Sequence, residues 1–161
     1  MKKCILMAVL GLVLSICYGG NASAQMKDYG SPINLATAKK AAASAIAEAR
    51  KNNWTQAVAI TDTGGDLVYF EKMDGTMTGS VRVAIDKARS AVLFKRPTKV
   101  WQDMVSAGGA KLFVLGLEGA VPLEGGLLLL MDDKIVGGIG VSGGTTMQDG
   151  VVATAGAQTV K

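Results

Sequence analysis

Histidine is absent from all 161 residues, and the two cysteines, Cys4 and Cys17, both lie close to the N-terminus. Beyond residue 17 these two absences remove thiol nucleophiles, Ser-His-Asp triads and nearly every structural zinc site. Long basic runs are missing too. The 17 basic and 13 acidic residues include Lys2 and Lys3 at the extreme N-terminus, so the rest of the chain carries a charge near +2. A nucleic-acid partner therefore has little support.

The first 24 residues have the three parts of a secretory signal peptide: Lys2 and Lys3, an apolar run over 4–17 broken only by Gly11 and Ser15, and Ala22-Ser23-Ala24 before Gln25. The run is short for a membrane span of about 20 residues, so cleavage near Ala24 and no stable membrane anchor are expected. Bulky Ile16 before Cys17 argues against a lipoprotein site. Cleavage leaves residues 25–161 as one domain, in the periplasm or secreted, with no cysteine to form a disulfide. Its core has to hold by packing alone.

Local signals set the element order. Asn34 is placed to cap a helix over 35–52 that is rich in alanine and suited to close packing. Two β-prone runs, 57–61 and 67–70, flank Asp62-Thr-Gly-Gly-Asp66, which reads as a hairpin turn. Ser80 is placed to cap a second helix with Val81, Ala84, Ile85, Ala88, Val92 and Leu93 inward, and Thr98 a shorter third one that stops at Gly108-Gly109. Residues 111–123 are ambiguous and are read as a helical turn followed by an extended piece. Strands over 127–131 and 135–142 form another hairpin, and a helix over 145–160 closes the chain. The order αββα, α, ββα predicts an α+β domain: an antiparallel β-sheet flanked by α-helices.

Ile135-Val-Gly-Gly-Ile-Gly-Val-Ser-Gly-Gly144 runs from an apolar strand through glycines into the last helix. Gly138, Gly140 and Gly143 match the spacing of a dinucleotide fingerprint, but only 18 residues follow, with no further strand and no ribose-binding acid. No Gly-Lys-Ser/Thr follows either, so a P-loop is excluded. Gly138 and Gly140 share one strand face, which permits close packing or close approach of a ligand. Thr145, Thr146 and Asp149 suit a helix start, and the N–H groups of Ser142, Gly143 and Gly144 are placed to meet a carboxylate. Asp62, Asp66 and Asp74 lack the spacing of an EF-hand and are read as turn residues.

Asp74-Gly75, Asp86-Lys-Ala88, Pro97-Thr98, Gly119-Ala-Val-Pro122 and Ile139-Gly-Val-Ser-Gly-Gly144 through Gln148-Asp149 together resemble the GlcG/HbpS family over nearly all of residues 35–160. The resemblance implies a profilin-like single domain, frequent homo-oligomerisation and haem or a related tetrapyrrole as cofactor. It also implies kinship with the C-terminal domain of PduO-type proteins and a setting near small-acid or diol catabolism. This chain departs from one haem-binding pattern of the family, because it has no histidine to serve as axial ligand. Met, Tyr or an oxygen donor can replace one. Met73 and Met77 are the iron-ligand candidates before the second helix, with Met104, Met147, Tyr69 and the Thr98 hydroxyl behind them.

Lys87 falls within the Asp86-Lys-Ala88 motif. It is either a solvated lysine or, facing a pocket, an anchor for a propionate or a base of lowered pKa. Arg82, Lys95 and Arg96 are further anion-pairing candidates, although Arg82 is also spaced to pair with Asp86. The reading favoured is an exported haem-binding protein, a binding protein rather than an enzyme. Its candidate site comprises Met73, Met77, Arg82, Lys87, Thr98, Ser142, Gly143, Gly144 and Asp149. The alternatives are an enzyme or sensor for a small carboxylate or diol-derived metabolite, with Lys87 as acid/base or anion clamp, and a structural oligomer whose glycines serve packing.

Overall fold

A computed structural model describes residues 26–161; the expected signal peptide lies outside these residues. Asn34 caps α1 (Leu35–Lys51), its Oδ1 accepting the Thr37 N–H at 2.9 Å. β1 (Ala57–Thr61) and β2 (Leu67–Lys72) pair through a turn in which Asp62 Oδ1 accepts the N–H groups of both Gly64 and Asp66. α2 (Ser80–Leu93) and α3 (Lys99–Ala107) follow. A 3-10 helix (Gly109–Gly116) settles the ambiguous stretch as a helical turn leading into a loop. β3 (Gly126–Met131) and β4 (Lys134–Ser142) form the second hairpin, and α4 (Thr146–Ala157) ends the fold.

The four strands make one antiparallel sheet in the order β2-β1-β4-β3. The α+β architecture is thus the expected one. Because β1 and β4 are central, the two hairpins meet along their most buried strands, with Ala59 opposite Gly140 and Ala57 opposite Ser142. Residues 28–33 continue the sheet beside the start of β4, where β1 does not reach. Gly30 N–H donates to Ile135 O at 2.8 Å, and Ile33 N–H donates to Val136 O at 2.8 Å. Among the described residues, no helix is long and apolar enough to cross a membrane.

The sheet's two faces differ in kind. Val58, Ile60, Ile139 and Val141 point toward α1 and α4, where alanines of α1 and Val152 and Ala153 of α4 close the main core. Ala57 and Ala59 point the other way, toward Ala84 and Ala88 of α2. On that side a Cβ at Gly140 would overlap the Ala84 carbonyl and the Ala88 amide, and one at Gly138 would overlap the Ala88 carbonyl. The glycine stripe therefore lets α2 settle on the sheet until backbone meets backbone. Val81 and Leu93, expected on the inner face of α2, flank it instead, and Leu93 is 43% exposed. The close approach centres the contact on Ala84 and Ala88 and buries Ser80, Lys87 and Ser90.

Candidate functional site

Where β4 ends, the chain turns through Gly143 and Gly144 into α4, which begins with a capping box. Thr145 Oγ1 accepts the Gln148 N–H, and Gln148 Oε1 accepts the Thr145 N–H. One turn into the helix, Asp149 points back under this junction, and its Oδ1 accepts the Gly144 N–H at 3.0 Å. From the opposite side Lys87 reaches across from α2. Its Nζ donates to Asp149 Oδ2 at 2.7 Å and to the Val141 carbonyl at 2.9 Å. The side chains are 1% and 3% exposed, so α2, β4 and α4 are tied together by a buried ion pair.

Room for the ammonium is made by Gly125, where a Cβ would stand 3.0 Å from Nζ and 2.8 Å from Asp149 Cβ. Burial lowers the pKa of Lys87 and raises that of Asp149, because each charged form has lost its water. Their mutual hydrogen bond and attraction oppose both shifts, and Glu124 adds further negative potential at Lys87. The two groups thus sit closer to exchanging their proton than an exposed pair would.

Above the pair lies an open cleft of about 400 Å³. Lys87, Asp149 and Ser142 line its buried end, while Met77, Val83 and Leu123 supply apolar flanks nearer the surface. Ser80 also lines it; only 3% exposed, its hydroxyl has no hydrogen-bond partner among the described residues.

Of the residues singled out in the sequence, Met77, Lys87, Ser142, Gly144 and Asp149 meet at this cleft. Gly143 lies next to it, packed on the Thr55 carbonyl and Gln56. Three others are elsewhere. Met73 packs against the α1 side of the core and borders a separate depression with Arg50 and Asp74. Arg82 turns outward, its side chain 85% exposed, and pairs with Asp86 at 3.4 Å, as the i,i+4 spacing allowed. Thr98, fully buried, is a brace: its Oγ1 donates to the Leu123 carbonyl at 2.6 Å and accepts the Gly126 N–H at 2.9 Å. It leads into α3 without capping it, because its hydroxyl is engaged in this brace.

Of the reserve candidates, Met147 is 72% exposed, Met104 is half-buried on α3, and Tyr69 donates to Glu71 at 3.1 Å. Lys95 stacks over Tyr29, and Arg96 over Trp101. The N–H groups expected to meet an outside carboxylate are partly engaged by the chain's own acid, since Gly144 already donates to Asp149. Ser80, read only as a helix cap, and Leu123 were missed as lining residues. Ser80 shares the i, i+3, i+7 stripe with Val83 and Lys87, a spacing that was legible, whereas Leu123 carried no local signal.

Fold and site together define a single α+β domain with an open cleft at a strand–helix junction. The chain belongs to the family described as haem degrading protein HbpS-like, whose model matches residues 33–158. It is 38% identical over 95 residues to protein GlcG of Escherichia coli K12, covering 59% of this chain and 69% of that protein. Among solved structures, HbpS superposes with a TM-score of 0.74 at 28% identity, covering 82% of this chain and 92% of that one. A PduOC complex with haem superposes with a TM-score of 0.73 at 26% identity, covering 81% and 96%.

Proposed function

We propose that this chain is an exported haem-binding protein that holds the tetrapyrrole at the cleft between α2 and the start of α4. The observation that carries the reading is the cleft itself, with its apolar flanks and the Met77 thioether at its outer end. Its volume of about 400 Å³ lies within the range of small-molecule sites. Support from relatives comes from the HbpS-like family and from the haem complex of PduOC.

The residues fit haem through a restricted donor set. With histidine absent from the chain, the cleft offers the Met77 sulfur and the Ser80 and Ser142 oxygens, and a thioether is an accepted haem-iron ligand. Val83 and Leu123 cover ring surface. Lys87 is buried and balanced by Asp149, whereas Arg82, on the same helix, is held only by an exposed 3.4 Å pair with Asp86 and is freer to meet a propionate. Haem bound there supplies a redox-active iron centre.

Titration of the purified protein with hemin tests this reading. A saturable, stoichiometric shift of the Soret band is expected, with affinity reduced by Met77→Ala and unchanged by Met73→Ala. A flat response contradicts it.

A further inference from the structure

Lys87 combines features that haem binding does not use. Its amino group lies at the buried end of an open cleft, 2.7 Å from a carboxylate able to take its proton. Two of its three N–H bonds have partners, Val141 O and Asp149 Oδ2, and among the described residues the third has none. The Ser80 hydroxyl, buried and also unpartnered, lines the same cleft.

We propose that Lys87 is a carbonyl-reactive amine that forms a Schiff base with a small, uncharged aldehyde or ketone entering the cleft, with Asp149 as its proton partner. The inference goes beyond the haem reading and does not depend on it. Carbonyl chemistry suits the site because only the neutral amine is nucleophilic, and burial without water favours that form. The charged groups that act on Lys87 are Asp149 and Glu124, both acidic, so a ligand bearing its own carboxylate is disfavoured.

The step balances without any further reactant. The Lys87 ammonium passes a proton to the Asp149 carboxylate, and the freed lone pair attacks the carbonyl carbon. A C–N bond forms as the carbonyl π pair moves onto oxygen, and one proton shifts from nitrogen to that oxygen to give a carbinolamine. Asp149 then returns its proton to the hydroxyl, water leaves, and the nitrogen lone pair closes the C=N bond. The product is a protonated imine beside an Asp149 carboxylate, so the buried end of the cleft keeps the charge balance with which it began.

The test treats the folded, haem-free protein with propanal and sodium cyanoborohydride near neutral pH, then locates propylated lysines by peptide mass spectrometry. Lys39, Lys51 and Lys72, all exposed, serve as internal references. Burial lowers the Lys87 pKa and so raises its neutral, nucleophilic fraction, and Lys87 is expected to label faster than these three. Labelling of Lys87 no faster than that of the exposed lysines overturns the proposal. Ser80→Ala is expected to slow labelling of Lys87 and leave the reference lysines unchanged, a readout that does not require Lys87 itself to be replaced. Hemin binding is read separately from the Soret band: labelling without hemin binding leaves this proposal standing, and hemin binding without labelling removes it alone.

Discussion

Replacing Lys87 by Met removes the ammonium and leaves the Asp149 carboxylate buried, with the Gly144 N–H at 3.0 Å to donate to it. Breaking one side of a buried pair typically costs about 3–5 kcal/mol, because the surviving charge has neither water nor a counter-charge. Asp149→Leu strands the Lys87 ammonium in the same way. The double variant Lys87→Met/Asp149→Leu leaves no unpaired charge and, besides the pair itself, loses the hydrogen bonds to Val141 O and Gly144 N–H. It is expected within about 2 kcal/mol of the wild type, since apolar replacement of a whole buried pair is often neutral or better. Urea unfolding followed by the fluorescence of Trp54 and Trp101 gives all four free energies of the cycle. Each single variant is also expected to melt roughly 10 °C lower. If the double variant loses as much as the two single losses added together, the groups act independently and the buried pair does not account for the stability of this junction.

Three further outcomes follow from the geometry. Gly140→Ala forces a Cβ into the Ala84 carbonyl and Ala88 amide and is expected to prevent folding or cost several kcal/mol, whereas Gly79→Ala meets nothing within 4 Å and is expected to be tolerated; circular dichroism melts compare them. Thr98→Val deletes the brace between Leu123 and Gly126 and is expected to cost about 1–3 kcal/mol in urea unfolding, with β3 and its preceding loop showing faster amide exchange. The pH dependence has two arms. Lys87 is lowered from 10.5, so just below 10.5 the unfolded chain holds a proton that the native chain lacks, and stability rises with pH. Asp149 is raised from 3.8, so just above 3.8 the native chain holds the extra proton, and stability falls as pH rises. Wild-type stability measured against the double variant should therefore pass through a minimum between these windows.

Features fixed by neighbouring residues were legible in the sequence. Asn34, the Asp62–Asp66 turn and the Thr145 capping box each use partners within a few residues, so their chemistry shows in a short window. Lys87 and Asp149 were both legible as site residues, but their pairing was not: 62 positions separate them, and no local pattern records that α2 and the start of α4 converge. The same limit applies to Thr98. Its place before α3 suggested a cap or an iron donor, yet its hydroxyl is committed to Leu123 and Gly126, 25 and 28 residues away. Met73 and Met77 look equivalent in sequence, four residues apart before α2. The fold separates them, one against the α1 core and the other at the cleft.

The most direct measurement of the central claim is the pattern of paramagnetic broadening that hemin produces in amide NMR spectra of the folded protein. Placement of the tetrapyrrole at the cleft predicts that signals from Met77, Ser80, Val83, Leu123, Gly144 and Thr146 broaden first. Broadening centred instead on the depression beside Arg50, Met73 and Asp74, or on the one lined by Gly30 and Asp132, would contradict it.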